Sequence, residues 1–371
     1  MTTQGPLVLV AGGGTGGHLY PGLAVAEALQ ARGVNVAFVG TEFGLESRVV
    51  PARGFVLHLV PGAPVRGGGA RRLVHGLRAA WRGTRGARAL VRGLSPAVVL
   101  GVGGYASFAA VVAARLERIP IVLQEQNALP GLANRVLGRL ARRVCIGFEA
   151  AASFFPADRT LLTGNPIRRS VLEAAAAPRV DGRLGLLVFG GSQGAHRINR
   201  AVLDALTGLG ERASRLTICH QTGARDLAEV RAGYAQAGLE AQVLAFIDSM
   251  GTAYAAADLV VARAGAMSCA ELTARGLPAI LVPYPHAAGD HQRRNADALV
   301  TAGAAELILD HELDGGTLRP VLARLLDDAR ERRRMAERSR ELGRPEAAER
   351  VARECLRVAG GQSLEADPAL R

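Results

Sequence analysis

The sequence predicts an α/β protein made of two doubly wound, Rossmann-like domains, each built on a parallel sheet. Three observations predict this fold class. Continuous apolar runs alternate with longer helical patterns, which is typical of parallel sheets covered on both faces. Glycine-rich turns follow three of the apolar runs. The series of strands restarts after Gly164-Asn165-Pro166, and 371 residues suffice for two domains of ordinary size.

Thirteen short apolar segments bounded by turn residues are predicted as strands. Those of the first half are Leu7–Ala11, Val34–Val39, Val56–Val60, Ala97–Val102, Ile119–Leu123, Val144–Ile146 and Thr160–Leu162. Those of the second half are Gly185–Phe189, Leu216–His220, Ala241–Ala245, Leu259–Ala262, Ala279–Val282 and Glu306–Leu309. Helices are predicted to begin near Pro21 and to span Ile167–Ala177, Arg319–Leu342 and Pro345–Val358. A cleft is expected between the two domains.

The positive charge is concentrated in one stretch of the chain. The net charge is +12, and no acidic residue lies between Ser47 and Leu116. Such a patch favours an anionic partner, which could be nucleic acid, an acidic membrane surface or a phosphorylated substrate. Nucleic acid is not expected, because no recognised binding module or interleaved aromatic residues accompany the charge. The stretch holds eleven arginines, at positions 48, 53, 66, 71, 72, 78, 82, 85, 88, 92 and 115.

Leu73, Leu77 and Trp81 lie at helical spacing among these arginines. An apolar stripe flanked by arginine is typical of a helix lying on an anionic bilayer. The alternative is a stripe that faces the protein core, with the arginines solvated. The first interpretation predicts that these three residues contact a membrane.

The sequence gives no sign of a disulfide scaffold or a metal site. Its four cysteines are far apart and form no C-x-x-C pair, which favours a reducing cytosol. No D-x-D triplet is present, so a carboxylate-bound metal at a nucleotide diphosphate lacks its usual mark. We therefore predict no metal and no cofactor.

The three glycine turns are Gly12–His18, Gly103–Ser107 and Gly190–Gly194. Glycine lets the backbone approach a ligand, and the helix that follows offers unpaired N–H groups, so phosphate is the expected guest. The first turn matches G-x-G-x-x-G, which raises a nicotinamide cofactor as an alternative. Glu42, however, lies 25 residues beyond Gly17, where a ribose-binding acid is expected after about 20. That alternative is therefore weak.

A cluster of polar residues follows the strands of the second half, in the runs Arg263–Glu271, Val282–His286 and Asp290–Asn295. Ser268 and Glu271 match S-x-x-E, so Glu271 is predicted to close a capping box. Its carboxylate could equally accept hydrogen bonds from the two hydroxyls of a ribose. The two roles are compatible.

Eight motifs in this order resemble the MurG family of bacterial glycosyltransferases, over roughly residues 5 to 355. That family adds N-acetylglucosamine to undecaprenyl-diphosphate-linked muramyl-pentapeptide in peptidoglycan synthesis, at the cytoplasmic face of the inner membrane. Its fold is of the GT-B type, two Rossmann-like domains facing across a cleft. The motifs are Gly-Gly-Thr-Gly-Gly-His at 13–18, Gly-Gly-Tyr at 103–105, Glu-Gln-Asn at 125–127, Gly-Asn-Pro-Ile-Arg at 164–168, Gly-Gly-Ser-Gln-Gly at 190–194, Phe-Ile-Asp at 246–248, and the runs 263–271 and 282–295.

The resemblance implies how the chain is divided. Residues 1–164 would form the acceptor domain facing the membrane, and residues 165–345 the domain that binds UDP-N-acetylglucosamine. Residues 346–371 would form a helix that returns to the first domain, followed by a frayed tail. The lipid-linked acceptor would bind at Gly13, Gly14, Gly103, Gly104 and Tyr105.

The resemblance also assigns the donor contacts. The main chain of Ile247 would read the uracil edge, Glu271 would hold the ribose hydroxyls, and Ser192 would contact the diphosphate. Backbone N–H groups of Ala266–Ala270 would wrap the sugar and phosphate, and Gln292 would bond the N-acetylglucosamine hydroxyls. The full predicted donor set is Thr15, Gly16, Gly17, Asn127, Arg168, Ser192, Ile247, Ala266, Met267, Ser268, Cys269, Ala270, Glu271 and Gln292.

The implied reaction is an inverting displacement at the anomeric carbon. His18 is the predicted base, because an imidazole with an ordinary pKa near 6.5 suits proton removal at neutral pH. Glu125 is the runner-up and could instead orient the base, while His18 could bind the acceptor without taking a proton. The chain departs from the family at Gln124, where a histidine often stands.

Two other functions remain open at this point. One is an enzyme of the same architecture with a soluble substrate, either a transferase or a nucleotide-sugar epimerase. The other is a basic nucleotide- or nucleic-acid-binding protein without catalysis. The His18 turn, Gly103–Tyr105 and the arginine-flanked stripe are unnecessary for a soluble substrate, and they favour the lipid-linked acceptor.

Overall fold

In the computed structural model the chain forms two compact units. The first unit comprises Met1–Arg168 and Pro345–Arg371, and the second comprises Arg169–Arg344. The structure describes residues 5–61, 70–175 and 182–361, and of residues 70–81 it describes the backbone but not the side chains. No described helix is long and apolar enough to span a bilayer.

The first unit is built on a seven-stranded parallel sheet of order β3-β2-β1-β4-β5-β6-β7. Its strands are β1 (Leu7–Gly12), β2 (Asn35–Gly40), β3 (Val56–Leu59), β4 (Val98–Gly103), β5 (Ile121–Glu125), β6 (Arg143–Ile146) and β7 (Thr160–Leu162). Its helices are α1 (Gly16–Gln30), α2 (Glu46–Ala52), α3 (Ala70–Leu94), α4 (Tyr105–Leu116) and α5 (Leu132–Leu137), with α15 (Ala347–Ala359) from the end of the chain.

Alternate residues of β1 pack into the two cores of this unit, one on each face of the sheet. Val8 and Val10 are buried with residues of α1 and α15, whereas Leu9 and Ala11 are buried with residues of α3 and α4. A parallel strand that is buried on both faces needs such a continuous apolar sequence. This explains why the apolar runs, which do not alternate with polar residues, predicted the strands correctly.

The second unit is built on a six-stranded parallel sheet of order β10-β9-β8-β11-β12-β13. Its strands are β8 (Leu184–Phe189), β9 (Leu216–Gln221), β10 (Ala241–Leu244), β11 (Leu259–Ala262), β12 (Ala279–Leu281) and β13 (Ala305–Leu307). Its helices are α6 (Arg169–Leu172), α7 (His196–Thr207), α8 (Glu211–Ser214), α9 (Leu227–Gln236), α10 (Met250–Ala255), α11 (Ala266–Arg275), α12 (His291–Thr301), α13 (Gly315–Asp327) and α14 (Ala329–Leu342).

All thirteen predicted strands are found, with ends shifted by no more than two residues. The predicted fold class, two Rossmann-like parallel-sheet domains, is therefore confirmed. In both sheets the strand order reverses next to the first strand, as in doubly wound folds.

Three helix predictions were wrong. The first helix begins at Gly16 rather than near Pro21, so Pro21 lies inside the helix, where it removes the hydrogen bond to a carbonyl of the first turn. The predicted helix Ile167–Ala177 is reduced to the short α6, and among the described residues 167–175 the apolar buried ones are only Ile167 and Val171. The predicted Arg319–Leu342 is two helices, because the Asp328 carboxylate accepts the N–H groups of Arg330 and Glu331 and so begins a new helix.

Candidate functional site in each unit

The first and second glycine turns touch each other through their backbones. Gly12 at the end of β1 pairs with Gly103 at the end of β4. Gly104 has φ +84°, and a Cβ at this position would lie 2.6 Å from the carbonyl oxygen of Gly13. Glycine is therefore required for the contact. The predicted acceptor residues Gly13, Gly14, Gly103 and Gly104 lie together at the carboxyl edge of the first sheet.

The predicted residues Thr15, Gly16 and Gly17 form the start of α1. Thr15 is the N-cap residue, with an extended backbone and no side-chain capping bond. Its carbonyl accepts the N–H groups of His18 and Leu19 at 3.2 and 3.1 Å. The amides of Gly16 and Gly17 belong to the first turn of a fifteen-residue helix, where N–H groups have no intrahelical partner.

Glu46 is the acidic residue that supports the first glycine turn. Its side chain is buried, and its carboxylate accepts the N–H of Gly14 at 2.7 Å and the N–H and hydroxyl of Thr41 at 2.9 Å. Glu42, considered above as a ribose ligand, is exposed. The acid that follows β2 therefore binds the protein's own backbone, which removes the ribose-binding feature of a nicotinamide site.

His18 lies on Gly103 and hydrogen-bonds to Gln126. A Cβ at Gly103 would lie 2.6 Å from His18 Nδ1, so the imidazole needs a glycine beneath it. His18 Nδ1 is 3.1 Å from Gln126 Oε1. No described residue lies within hydrogen-bond distance of Nε2. One ring nitrogen is therefore held by the protein, and the other is left for a substrate.

Three buried amides continue from this contact. Gln126 Nε2 donates to the carbonyl of Val102 at 2.8 Å and to Gln124 Oε1. Gln124 Nε2 donates to Asn165 Oδ1 at 2.9 Å, and Asn165 Nδ2 donates to the carbonyl of Gln126 at 2.9 Å. Gln124 is thus one member of a buried network that reaches His18.

Glu125, the second predicted catalytic residue, is buried and hydrogen-bonded on both oxygens. Its Oε1 accepts the N–H of Asn127 at 2.9 Å and the amide of the same residue at 3.3 Å. Its Oε2 accepts from Asn134 Nδ2 at 2.9 Å. Among the described residues, no hydrogen bond joins Glu125 to His18. This carboxylate orders the loop that holds the predicted donor residue Asn127.

Two further predicted residues of the first unit pack on aromatic or apolar neighbours. Tyr105 is the first residue of α4, and a Cβ at Gly83 would lie 2.9 Å from its hydroxyl. Burial raises the pKa of Tyr105, against a smaller lowering by the charge of Arg82. The guanidinium of Arg168 lies 4.7 Å from the ring centroid of Tyr20 in α1, as a cation–π pair.

The third glycine turn is supported from its carbonyl side. Gln221 Nε2 donates to the carbonyl of Gly191 at 2.8 Å and to that of Ala245 at 3.3 Å. Ser192 and Gln193 are exposed, and their N–H groups donate to no described residue. A Cβ at Gly194 would lie 1.8 Å from the carbonyl oxygen of Thr222, so glycine is required for this close approach. The turn can offer its amides to an anion.

The run Ala266–Ala270 forms the first turn and a half of α11. The N-cap residue is Gly265, and the N–H of Cys269 already donates to its carbonyl at 2.9 Å. The amides of Met267 and Ser268, which precede it, have no intrahelical carbonyl to bind. Burial raises the pKa of the Cys269 thiol to about 12. Cys269 and Ala270 therefore lie in the body of the helix, and the amides of Met267 and Ser268 in its first turn are the ones available to a ligand.

The predicted capping box at Ser268 and Glu271 was wrong. Gly265 begins the helix without a side-chain cap, so Ser268 is already the third helical residue. Glu271 is buried, and its Oε2 accepts the hydroxyl of Tyr254 at 3.0 Å. Its carboxylate is held by a tyrosine of the neighbouring helix α10.

The remaining predicted donor residues are Ile247, on the loop between β10 and α10, and Gln292, the second residue of α12. Ile247 is buried, and its main-chain N–H and C=O bond to no described residue. Gln292 Oε1 accepts the N–H of Tyr284 at 2.9 Å. Arg263 donates to the carbonyl of Pro283, on the loop of Tyr284, at 3.1 Å, and forms an ion pair with Asp310, which follows β13, at 2.5 Å.

The predicted membrane residues Leu73, Leu77 and Trp81 belong to α3, but their side chains lie outside the described residues. In the described half of this helix, Ala87 and Val91 are buried, whereas Arg88 and Arg92 are exposed. The latter two bond to Glu117 and hold the pKa of that carboxyl low, Arg92 more than Arg88. This half therefore has a core-facing apolar side and a solvated arginine side.

Sequence reasoning missed four supporting residues: Glu46, Gln126, Gln221 and Tyr254. Gln126 lies inside the Glu-Gln-Asn motif and could have been considered for that reason. The other three carry no motif of their own, because their partners are backbone groups or side chains distant in sequence.

Comparison with known proteins agrees with this architecture. Residues 8–146 match the glycosyltransferase family 28 N-terminal domain, and residues 185–351 match its C-terminal domain. A Geobacter sulfurreducens protein is 47% identical over 355 residues, covering 94% of this chain and 98% of that protein. Its name is UDP-N-acetylglucosamine–N-acetylmuramyl-(pentapeptide) pyrophosphoryl-undecaprenol N-acetylglucosamine transferase.

Two solved structures resemble the whole chain. MurG of Acinetobacter baumannii aligns with a TM-score of 0.79 at 32% identity, over 95% of this chain and 99% of that one. A putative UDP-N-acetylglucosamine 2-epimerase of Listeria monocytogenes aligns with a TM-score of 0.71 at 14% identity, over 97% and 98% of the two chains. The second likeness shows the fold alone. The two domain matches and the 47% identity show that this chain is a glycosyltransferase of family 28.

Proposed function

We propose that this enzyme transfers N-acetylglucosamine from UDP-N-acetylglucosamine to the muramyl C4 hydroxyl of undecaprenyl-diphosphate-linked N-acetylmuramyl-pentapeptide. The name of the Geobacter sulfurreducens relative supplies this donor and this acceptor. One observation carries the proposal for this chain: the first unit holds His18 with Nε2 unbonded, while the second unit holds a glycine turn with unbonded amides. These are the groups that a displacement on a nucleotide sugar requires.

The donor nucleotide is assigned to the second unit. The amides of Ser192 and Gln193 face solvent and suit the diphosphate, and the unbonded main chain of Ile247 suits the uracil edge. Glu271 presents a carboxylate that Tyr254 holds in place, which suits a ribose diol. Gln292 binds Tyr284 through its oxygen, so its amide nitrogen is available for a sugar hydroxyl.

The acceptor is assigned to the first unit, at the paired turns around Gly13 and Gly104. In the transfer step, His18 Nε2 takes the proton of the acceptor hydroxyl as the oxygen attacks the anomeric carbon. The bond from that carbon to the diphosphate oxygen breaks, and its electron pair leaves with UDP. General-base assistance of this kind contributes about 10²–10⁴-fold. The configuration at the anomeric carbon inverts from α to β.

His18 suits the role of base better than Glu125 does. Glu125 is buried, and its two oxygens accept three N–H bonds, so proton transfer to it would disrupt the Asn127 loop. His18 keeps one nitrogen without a protein partner. We therefore assign Glu125 to loop ordering and His18 to proton removal.

We also assign the enzyme to the cytoplasmic face of the bacterial inner membrane, as a peripheral protein. Leu132, Val136 and Leu140 follow one another at intervals of four residues and are 77%, 49% and 37% exposed. Arg135, Arg139 and Arg142 lie among them. An exposed apolar stripe with arginine at its sides suits an anionic bilayer, and it extends the contact proposed for Leu73, Leu77 and Trp81.

The test is transfer of labelled N-acetylglucosamine from UDP to a short-chain lipid-diphosphate muramyl-pentapeptide. We expect a β-1,4-linked product and release of UDP that depends on the acceptor. Conversion of UDP-N-acetylglucosamine to another sugar nucleotide without acceptor would instead support the epimerase. Failure to use the lipid-linked acceptor while a soluble muramyl acceptor is used would overturn the membrane assignment.

A further inference from the structure

We propose that Gln126 is a positioning residue that fixes the neutral His18 imidazole as its Nδ1–H tautomer. Nε2 is then the nitrogen that accepts the proton of the acceptor hydroxyl. The inference rests on the proposed function, in which His18 is the base. The orientation of the Gln126 amide determines the tautomer of His18. That orientation follows from neighbouring backbone carbonyls, which can only accept hydrogen bonds.

The nitrogen of the Gln126 amide is identified by the carbonyl of Val102. This carbonyl oxygen lies 2.8 Å from one end of the amide and cannot donate a hydrogen. The end that faces Val102 must therefore be the NH₂ group. Its second hydrogen goes to Gln124 Oε1. The opposite end, which faces His18 at 3.1 Å, is consequently the oxygen.

A second backbone carbonyl fixes the rest of the network. Asn165 donates to the carbonyl of Gln126 at 2.9 Å, so its nitrogen lies at that end and its oxygen faces Gln124. Gln124 must then donate to Asn165 Oδ1, at 2.9 Å, and its own oxygen faces Gln126. Rotating any one of the three amides by half a turn would place two acceptors or two donors against each other. The network therefore has one consistent arrangement of donors and acceptors.

The tautomer of His18 follows directly. Gln126 Oε1 is an acceptor, so Nδ1 must carry the hydrogen of this 3.1 Å bond. A neutral imidazole has one hydrogen on its two nitrogens, and Nε2 is left with a lone pair. Gly103 leaves room for the ring in this position, because a Cβ there would lie 2.6 Å from His18 Nδ1. All of these groups belong to the first unit.

Gln126 differs from the carboxylate that often supports a catalytic histidine. A carboxylate fixes the tautomer and also stabilises the imidazolium that forms. A neutral amide oxygen fixes the tautomer without adding a negative charge. Gln126 therefore determines which nitrogen is basic, and its loss should affect kcat rather than the binding of UDP-N-acetylglucosamine.

The direct test is ¹⁵N nuclear magnetic resonance of the histidine rings in the full-length, uniformly labelled protein at mildly alkaline pH. The signal that disappears in His18→Gln identifies the ring. We expect a protonated Nδ1 and an unprotonated Nε2, which is the tautomer that a histidine side chain in water does not favour. A hydrogen on Nε2 in the wild-type protein would overturn the proposal without any substitution at Gln126.

The second test is Gln126→Met, which keeps the length of the side chain and removes its amide. We expect the His18 signal to move to the Nε2–H form, and kcat to fall by about 10²-fold, at the low end of what a general base contributes. KM for UDP-N-acetylglucosamine should be unchanged. The matched control is Gln221→Met, a buried glutamine of the second unit, which should leave the His18 signal unchanged.

The outcomes separate this inference from the proposed function. An unchanged tautomer in Gln126→Met, or a changed tautomer with wild-type kcat, would contradict the positioning role. A wild-type protein with the expected tautomer but no transfer to the lipid-linked acceptor would contradict the proposed function instead. If Gln126→Met did not fold, the wild-type spectrum would still decide the tautomer.

Discussion

The glycine turns that follow β1 and β8 occupy corresponding places in the two sheets but are supported in opposite ways. In the first unit a buried carboxylate, Glu46, accepts the N–H of Gly14. In the second unit a buried amide, Gln221, donates to the carbonyl of Gly191. The first arrangement uses up a backbone donor and places a negative charge beneath the turn. The second arrangement leaves the N–H groups of the turn available.

This difference indicates which of the two turns can stabilise the diphosphate of UDP. Like charges repel, and the repulsion is strong where water is excluded. A phosphate at Gly14 would lie close to the buried Glu46 carboxylate, whereas a phosphate at Ser192 would meet only amides of the turn. Two turns with almost the same glycine pattern are therefore suited to different tasks. The second unit suits the nucleotide. The first unit suits the muramyl hydroxyl and the base, and the acceptor's own diphosphate must then bind away from Gly14.

The largest effect is expected for His18→Gln. Because His18 supplies the base in the first unit, kcat should fall by about 10²–10⁴-fold. The affinity for UDP should be unchanged, since UDP is assigned to the second unit. Steady-state transfer and titration with UDP measure the two quantities. His58→Gln, in β3 of the same unit, is the control and should leave both unchanged; a large loss of UDP affinity in His18→Gln would break the comparison.

Arg143→Met should destabilise the first unit alone. The ion pair of Arg143 with Glu354 of α15 is buried, with side chains 1% and 8% exposed, at an N–O distance of 2.8 Å. Removing one partner of a buried pair costs about 3–5 kcal/mol, and the Arg357 guanidinium, 3.8 Å from the Glu354 carboxylate, should reduce that cost. Hydrogen exchange of the strands of each sheet, measured as denaturant is added, follows the unfolding of the two units separately.

Two comparisons sharpen this prediction. Glu349 of the same helix forms an exposed ion pair with Arg32, which follows α1, and Glu349→Gln should cost at most about 1 kcal/mol. UDP binding at native conditions should persist in Arg143→Met. Equal destabilisation by the two variants would contradict the difference between the buried and the exposed pair. Loss of UDP binding from a folded Arg143→Met protein would contradict the assignment of UDP to the second unit.

Glu271→Gln should act on the donor alone. A hydrogen bond to a charged group contributes about 1.5–3 kcal/mol, so KM for UDP-N-acetylglucosamine should rise by about 10- to 150-fold. The value of kcat at saturating donor should change little. Tyr254→Phe, which removes the hydroxyl that holds Glu271 but keeps the carboxylate, should raise KM less. A fall in kcat with unchanged KM would move Glu271 out of the ribose site.

The smallest effects are expected at the two supporting residues themselves. Glu46→Gln leaves the Gly14 N–H poorly satisfied, at a cost of about 1–3 kcal/mol, and should raise KM for the acceptor. Gln221→Met should raise KM for the donor by an amount that corresponds to a similar free energy. The crossed result, with Glu46→Gln affecting the donor and Gln221→Met the acceptor, would reverse the assignment of the turns. Kinetics with each substrate varied in turn distinguishes the two.

Much of the fold was predictable because its determinants are local. The strands of both sheets are continuous apolar runs, and glycine turns follow β1, β4 and β8, so their order along the chain predicts the doubly wound class. The break at Asp328 was missed because helical periodicity continues through it, and only a side-chain capping bond divides α13 from α14.

The site was predictable as a set of turns and less so as a set of contacts. His18, Asn127 and Ser192 stand within motifs and are placed at the ends of strands or on the turns that follow them. Glu46, 32 residues from Gly14, and Tyr254, 17 residues from Glu271, act on partners distant in sequence. Tertiary packing creates such pairs. For the same reason Glu271 resembled a helix cap in the sequence, although its partner is a tyrosine of α10.

Hydrogen–deuterium exchange of the full-length enzyme with and without UDP tests the division of tasks most directly. The account predicts that UDP slows backbone exchange at 190–194, 245–248 and 265–271, in the second unit. It predicts no dependence of that protection on His18. Protection at 12–18 with unchanged exchange at 190–194 and 265–271 would contradict it, because the nucleotide would then lie on the turn that Glu46 supports.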